Sequence, residues 1–217
     1  MKSFKVALAQ FSPHIGNIDS NTQKMIEQVN QAKKQDADLI IFPELSVIGY
    51  PAEDLLLRPN LNKRMQKAFA QLAKVKDIVM VFGFVNQTED GQRYNSAAVM
   101  KDGQVLGVFN KHNLPNYGVF DEKRYFDPGH APMTITLDGF RVGVLICEDA
   151  WGQAANPWVN YEQNLVKNLV EESLDLVVCL SASPFEIGKP LMRENVFGNL
   201  ASCLGTPVLN VNQVGAQ

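Results

Sequence analysis

Short runs of apolar, β-branched residues alternate with longer stretches of helical spacing along this chain. The first two apolar runs, 4–10 and 38–42, flank a stretch from about 20 to 35 in which apolar residues follow helical spacing. At the start of that stretch, Ser20 and Gln23 resemble a capping box. A strand, a helix and a second strand in this order predict a βαβ unit, with parallel strands and a right-handed connection.

The same alternation continues to the end of the sequence. Asp-Gly pairs at 102–103 and 138–139 predict tight turns between neighbouring strands. Interleaved helices and strands with hairpins between them predict an α/β fold, with either one mixed sheet or two stacked sheets faced by helices. The predicted helices cover 61–75, 157–172 and 189–204, and the predicted further strands cover 77–85, 94–100, 105–110, 133–137, 140–147, 174–180 and 206–211.

Composition excludes several classes of protein. A net charge of −3 argues against a nucleic-acid binder with a broad basic face. No apolar run reaches about 18 residues, so no membrane span is predicted. Three cysteines without a CxxC pair and three dispersed histidines predict neither disulfides nor a metal site. With no apolar leader at the N terminus, we expect a cytoplasmic protein folded as one domain over residues 1–217.

Three chemically active side chains follow apolar strands directly. Glu44, Lys111 and Cys147 each come at the carboxyl end of a predicted strand, which is where functional residues gather in open α/β sheets. A carboxylate, an ammonium and a thiol in one crevice supply a base, an electrostatic stabiliser and a nucleophile. Each residue also has an ordinary interpretation: Cys147 as a small core residue, and the two charged residues as solvated loop residues.

The functional groups suggest a division of labour. Glu44 would accept the thiol proton while Cys147 attacks a carbonyl or amide carbon, and Lys111 would stabilise the developing oxyanion. The backbone N–H of Glu148, directly after the nucleophile, is the natural second oxyanion donor. Residues 111–130 form a long loop that is too aromatic for disorder, so we predict that it belongs to the site.

Several segments resemble the nitrilase (carbon–nitrogen hydrolase) superfamily, and more closely the glutaminase domain of glutamine-dependent NAD synthetases. The Gly-Tyr-Pro…Glu-Asp-Leu-Leu and Cys-Glu-Asp-x-Trp runs are characteristic of this branch. The resemblance extends over essentially all of 1–217. The segments that carry it are 42–46 (FPELS), 49–56 (GYPAEDLL), 111–122 (KHNLPNYGVFDE), 147–151 (CEDAW) and 181–185 (SASPF).

The resemblance implies an α-β-β-α sandwich that hydrolyses L-glutamine to glutamate and ammonia through a thioester. Cys147 is then the nucleophile, Glu44 the proton acceptor and Lys111 the third member of the triad. Glu122 matches a second glutamate near the lysine, which would orient Lys111. Its alternative is a loop carboxylate paired with a neighbouring basic residue, Lys123 or Arg124.

Further positions match family residues that hold the amino-acid substrate. Tyr117 would hold the aliphatic stem of glutamine, Ser183 its backbone groups and Lys189 its α-carboxylate. Ser183 is equally a turn residue before Pro184, and Lys189 is equally a residue of a first helical turn. The resemblance implies no metal and no cofactor for the glutaminase reaction.

Relatives of this kind continue into a synthetase domain that binds ATP, Mg and deamido-NAD. The chain has no Ser-Gly-Gly-x-Asp-Ser phosphate loop, so we expect a glutaminase domain that is incomplete at its C-terminal end and works with a synthetase domain outside it. The resemblance also implies a homo-oligomer. Two other functions stay open: a stand-alone amidase or carbamoylase acting on another small amide, and a non-catalytic scaffold.

Overall fold

Helices and strands alternate along the protein as the sequence predicts. A computed structural model describes residues 3–130, 133–151 and 165–215. In these ranges the α-helices are α1 (Ile18–Lys33), α2 (Leu61–Leu72), α3 (Leu165–Val170) and α4 (Lys189–Leu204). The strands are β1 (Val6–Leu8), β2 (Leu39–Ile41), β3 (Val79–Gln87), β4 (Arg93–Lys101), β5 (Gln104–Asn110), β6 (Met133–Leu137), β7 (Phe140–Ile146), β8 (Leu176–Ser181) and β9 (Val208–Asn212).

The described strands form two mixed sheets. The first has five strands in the order β1-β2-β3-β4-β5, and β1, β2 and β3 pair in parallel before two antiparallel pairings follow. The second has the order β6-β7-β8-β9, with an antiparallel first pairing and two parallel ones. The parallel pairing of β1 and β2 around α1 is the βαβ unit that the sequence predicts.

Alternating side chains on the strands build separate layers of the core. On β2, Leu39 and Ile41 pack in a cluster that includes residues of the second sheet, whereas Ile40 packs with residues of α1 and α2. On β8, Val178 faces the first sheet and Cys179 belongs to the cluster with α3 and α4. Because successive strand residues point to opposite faces, each sheet has one face on the other sheet and one on helices. The predicted α-β-β-α sandwich is therefore confirmed.

Helix α1 begins earlier than predicted, and its cap is a different residue. The Asn17 side chain accepts a hydrogen bond from the backbone N–H of Ser20 at 3.3 Å, so Asn17 is the N-cap and the helix begins at Ile18. Ser20 lies inside the first turn, and the predicted capping box with Gln23 is wrong. Asn is among the preferred N-cap residues, and Asn17 precedes Ser20 along the chain.

Other elements differ from prediction mainly at their ends. Helix α4 has the predicted bounds, Lys189–Leu204. Helix α3 covers Leu165–Val170, and residues 157–164 of the predicted helix lie outside the described part of the chain. Cys179 and Cys203 lie within apolar strand and helix patterns, which predict core positions for both. Cys179 is buried as predicted, but Cys203 is exposed and its predicted core position is wrong. Cys203 lies on the exposed side of α4, in which Leu200 is the buried residue.

Short 3-10 helices lie beside the site-bearing loops, at Glu53–Leu57, Glu122–Arg124 and Cys147–Ala150. The second of them falls inside the long aromatic loop that follows β5. Helices in the described ranges are all too short or too polar to cross a membrane.

Candidate active site

Three strand ends place the predicted triad at one end of the sandwich. Glu44 follows β2 and Lys111 follows β5, so both come from the five-stranded sheet, whereas Cys147 follows β7 of the four-stranded sheet. All three residues are buried, and the Lys111 and Glu44 side chains are 0% and 1% exposed. Charged side chains are almost never buried this completely unless they are paired, and each of these two has a charged partner.

Lys111 bridges two carboxylates. Its Nζ donates to Glu44 Oε1 at 2.6 Å and to Glu122 Oε1 at 2.8 Å. The alternative for Glu122, a local pair with Lys123 or Arg124, is not what the structure shows. Arg124 instead lies 3.8 Å from Asp121. Glu122 therefore lies where the resemblance predicts it, beside the ammonium of Lys111.

Further hydrogen bonds hold each oxygen of Glu44. Asn95 on β4 donates its side-chain N–H to Oε1 at 2.7 Å, and the backbone N–H of Ala182, directly after β8, donates to Oε2 at 2.9 Å. The carboxylate is thus fixed from both sheets. These hydrogen bonds fix the orientation of the carboxylate, which a base needs in order to reach the proton that it accepts.

The surroundings of Cys147 keep its thiol protonated at rest. Burial raises the pKa of Cys147 well above its usual range, the charge of Glu44 raises it further, and Lys111 opposes both. Burial acts to lower the pKa of Lys111, but Glu122 and Glu44 more than offset it, so that pKa is also well above its ordinary value. The thiol therefore needs a base at the moment of attack, and the amine stays charged.

The two oxygens of the buried Glu122 carboxylate have different surroundings. Burial raises its pKa to about 7, although the charge of Lys111 opposes the shift. The hydroxyl of Tyr50 donates to Glu122 Oε1 at 2.9 Å, while Oε2 is buried without a hydrogen-bond partner. On one side, Glu122 borders a solvent-open cleft of about 350 Å³ that Tyr50 also lines. Burial therefore disfavours the charged form of Glu122, even beside Lys111.

Cys147 occupies a sharp turn between β7 and a 3-10 helix. Its φ of +44° lies in the left-handed region, which costs about 1–3 kcal/mol for a side-chain-bearing residue and persists only where the surroundings hold it. The carboxylate of Asp149, two residues later, accepts from the backbone N–H of Ile146 at 3.1 Å. Burial raises the pKa of Asp149 to about 7, against the hydrogen bonds that favour its charged form.

The predicted substrate-binding residues surround this turn in two groups. Tyr117 is half-buried and donates its hydroxyl to Glu148 Oε1 at 2.9 Å, so the aromatic loop contacts the residue after the nucleophile. Lys189 lies in the first turn of α4, with its ammonium 4.6 Å from the ring centre of Trp151 and 3.5 Å from Glu186. The sequence prediction that residues 111–130 belong to the site agrees with these contacts.

Ser183 lies one residue after the contact between Ala182 and Glu44. Its backbone N–H donates to Asn212 Oδ1 at 2.8 Å, and Arg193 donates to its hydroxyl at 3.3 Å. The turn after β8 is therefore tied to β9 and to α4. Sequence reasoning did not identify Arg193. The signal that could have found it is its position as a basic residue one helical turn after Lys189.

Sequence reasoning also missed the roles of Tyr50 and Asn95. Tyr50 was visible only as part of the Gly-Tyr-Pro run. Asn95 is a buried polar residue near the start of strand β4, and Asn is uncommon in strands. Such a residue normally has a specific hydrogen-bond partner, which in this protein is Glu44.

Among the described residues, the His, Cys, Asp and Glu side chains form no group of three that could hold a metal ion. The arrangement supplies instead a nucleophile, a base and a fixed positive charge, which together support attack on a carbonyl or amide carbon.

One protein-family model covers all of the strand ends that form the candidate site. Residues 5–217 match the model described as carbon–nitrogen hydrolase. The chain belongs to the carbon–nitrogen hydrolase family. The resemblance read from the sequence is thereby confirmed, and it extends to both sheets of the sandwich.

Named relatives of this carbon–nitrogen hydrolase chain are longer proteins. It is 66% identical over 217 residues to the glutamine-dependent NAD(+) synthetase of Acinetobacter baylyi, matching 100% of this chain and 38% of the relative. It is 40% identical to the enzyme of the same name from Thermotoga maritima, of which it covers 36%. The chain thus spans less than two fifths of the length of these curated relatives.

Solved structures agree with this assignment. Glutamine-dependent NAD+ synthetase from Acinetobacter baumannii, in complex with adenosine diphosphate, has a TM-score of 0.93 and 72% identity, and the match covers 100% of this chain and 39% of that one. A Nesterenkonia amidase of the nitrilase superfamily has a TM-score of 0.82 at 21% identity, covering 98% and 77%. The amidase shares the fold.

Proposed function

We propose that this carbon–nitrogen hydrolase chain hydrolyses the side-chain amide of L-glutamine to glutamate and ammonia through a thioester on Cys147. One observation carries the proposal: a buried lysine bridges two carboxylates next to a strained, buried cysteine. The name of its relatives, glutamine-dependent NAD(+) synthetases, supports glutamine as the substrate.

Acylation begins with the proton of the Cys147 thiol. Glu44 accepts that proton as the sulfur attacks the amide carbon, so the thiolate never has to exist free in a buried site that disfavours it. The new oxyanion forms close to the Lys111 ammonium, and the backbone N–H of Glu148 is its second donor. When the C–N bond breaks, Glu44 returns the proton to the nitrogen, and ammonia leaves.

Deacylation repeats the sequence with water. Glu44 takes a proton from a water molecule that attacks the thioester carbon, the C–S bond breaks, and the sulfur recovers the proton from Glu44. The product is glutamate, and the enzyme returns to its starting protonation state. No metal and no cofactor take part in either half.

Substrate recognition is assigned to the residues around the nucleophile turn. Tyr117 covers the aliphatic stem of glutamine, and Ser183 binds its amino-acid backbone groups. Lys189 neutralises the α-carboxylate, and its contact with the Trp151 ring holds the ammonium near the turn. A substrate without an α-carboxylate forgoes its ion pair with Lys189, which selects glutamine over simple amides.

Ammonia released in this way is the nitrogen donor for a second reaction. We infer that a synthetase region outside this chain consumes it, using ATP and Mg to amidate deamido-NAD, because the relatives are more than twice as long and carry the synthetase name. The cytoplasmic location and the homo-oligomer expected from the sequence are part of this proposal.

The test measures glutamate release by the full-length protein. Cys147→Ala abolishes it, whereas the matched change Cys203→Ala, at an exposed cysteine, leaves it intact. A diazoketone analogue of glutamine adds its mass to Cys147 and to neither Cys179 nor Cys203. Glutamate release that persists in Cys147→Ala would refute the nucleophile.

A panel of amides separates the alternatives. Turnover of simple aliphatic amides with glutamine inert would establish the stand-alone amidase. A scaffold would turn over no amide, and its Cys147 thiol would react no faster at pH 7 than the buried Cys179, whose pKa burial raises to about 12.

A further inference from the structure

Asp149 lies at the junction between the two sheets. It is 1% exposed and belongs to the 3-10 helix that begins with Cys147. Its Oδ1 accepts from the backbone N–H groups of His112 at 3.1 Å and of Asn113 at 2.9 Å. Its Oδ2 accepts from the backbone N–H of Ile146 at 3.1 Å. One buried carboxylate therefore contacts backbone on both sides of the sandwich.

The partners of Asp149 are the immediate neighbours of the triad. His112 and Asn113 are the two residues after Lys111, and Ile146 is the residue before Cys147. The backbone of Lys111 is fixed to the five-stranded sheet, because its backbone N–H donates to the backbone carbonyl of Asn95 at 2.8 Å. Ile146 is fixed to the four-stranded sheet through its pairing with Leu180. Asp149 thus connects the two short segments that deliver the ammonium and the sulfur.

This connection matters because the triad is divided between the sheets. A relative shift of the two layers by about 1 Å would separate Cys147 from its base and its oxyanion stabiliser, and misplacements of that size cost about 10²-fold in rate. The turn at Cys147 also has a positive φ, which needs external support. A second, weaker contact runs in parallel, from Asn113 Nδ2 to Glu148 O at 3.4 Å.

We propose that Asp149 is a positioning residue for the hydrolysis, aligning the nucleophile turn of one sheet with the lysine segment of the other. The inference rests on the proposed function. Asp149 does not touch the substrate. Its carboxylate sets the distance between Cys147 and the pair formed by Glu44 and Lys111, and it acts through three backbone N–H groups.

Asp149→Asn is the most direct test, since the amide keeps the shape but replaces one acceptor oxygen with a donor. An N–H group then faces either Ile146 or the pair of N–H groups on the other side. In the full-length protein we expect kcat for glutamine to fall by about 10²-fold with KM little changed. The matched control is Asp175→Asn, because Asp175 accepts from the backbone N–H of Arg141 at 2.8 Å at the opposite end of β7.

Alkylation of Cys147 by iodoacetamide gives a readout that does not depend on glutamine. In a Cys203→Ala background, Asp149→Asn slows alkylation strongly when Glu44 is present and little when Glu44 is replaced by Gln, because the alignment with the base is already lost. If Asp149 only stabilised the fold, its substitution would lower the melting temperature without slowing the alkylation of Cys147 in the folded protein. Slowed alkylation in a protein that does not hydrolyse glutamine would refute the substrate and retain the positioning role.

A milder variant decides the matter where Asp149→Asn fails to fold. Asn113→Ala removes the parallel contact to Glu148 and keeps all three bonds of Asp149. We expect a smaller fall in kcat, again with KM unchanged and with slower alkylation of Cys147. The proposal would be overturned if Asp149→Asn had the same kcat and alkylation rate as the control Asp175→Asn. If Asp149→Asn does not fold, the same comparison is made between Asn113→Ala and Asp175→Asn.

Discussion

The backbone N–H of Ala182 donates a 2.9 Å hydrogen bond to Glu44 Oε2, joining the residue after β8 in one sheet to the carboxylate delivered by the other. Glu44 Oε1 is held separately, by Lys111 and by Asn95. The two oxygens of the base therefore have different environments. Oε2 accepts one hydrogen bond among the described residues, and a carboxylate oxygen has two lone pairs, so Oε2 can accept the proton of Cys147 while all three bonds persist.

Removing the base tests this arrangement directly. In Glu44→Gln the shape of the side chain is kept, but the amide nitrogen cannot accept a proton. We expect kcat to fall by about 10²–10⁴-fold, the range for loss of a general base, with a much smaller change in KM. Glu27→Gln is the matched control, since Glu27 lies on the exposed face of helix α1 and accepts only from Gln23 among the hydrogen bonds described for it. Equal kcat in the two variants would contradict the role of Glu44.

Removal of the buried ammonium is expected to destabilise the fold strongly. Lys111→Met leaves Glu44 and Glu122 buried without their cation, and breaking a buried pair in this way costs about 3–5 kcal/mol. Lys101→Met is the comparison, because Lys101 makes a 3.0 Å ion pair with Asp138 at the surface, and such pairs contribute about 0–1 kcal/mol.

Urea unfolding of both variants measures the difference in the free energy of unfolding. A loss in Lys111→Met no greater than in Lys101→Met would show that the two carboxylates relax into water or become protonated at little cost.

Much of the site could be predicted because strand ends are local features. Glu44, Lys111 and Cys147 each follow an apolar run, and a general property of α/β sheets brings such residues together. The outcome for Glu122 differs in kind. Its pairing with Lys111 rather than with Arg124 depends on how the loop after β5 folds back, and the motif rather than the spacing indicated it.

The parts that sequence reasoning missed depend on contacts between distant segments. Tyr50 and Asn95 acquire their roles from Glu122 and Glu44, which lie 72 and 51 positions away along the chain. The predicted core position of Cys203 was wrong for another reason. Apolar residues are spread around α4, so periodicity does not define which face is buried, whereas α1 and α2 have clear apolar faces.

The contribution of the Tyr50 hydroxyl to the free energy of unfolding can be measured separately. Tyr50→Phe removes the donor to Glu122 Oε1 and keeps the ring packed in the core. Hydrogen bonds to charged groups contribute about 1.5–3 kcal/mol, so we expect the free energy of unfolding to fall by that amount where Glu122 is ionised. Tyr125→Phe is the control, because its hydroxyl donates to Asp54 at 2.8 Å in an exposed position. Equal losses in the two variants would show that burial adds nothing to the Tyr50 contact.

The elevated pKa of Glu122 makes stability depend on pH in a predictable direction. Its pKa is about 7 in the folded protein and 4.5 ordinarily, so between these values the folded state binds more protons than the unfolded state. Stability therefore falls as pH rises from 4.5 through 7, by about 3 kcal/mol for this group at 1.36 kcal/mol per unit.

Glu122→Gln removes that contribution, since Gln does not titrate. Its free energy of unfolding, measured with urea at intervals between pH 4.5 and 8, is expected to decline less steeply than that of the wild type, by about 3 kcal/mol over the range. Asp149, which also has a raised pKa, is present in both proteins and cancels in the comparison. Parallel curves for the two proteins would mean that Glu122 remains ionised throughout, with Lys111 compensating its burial in full.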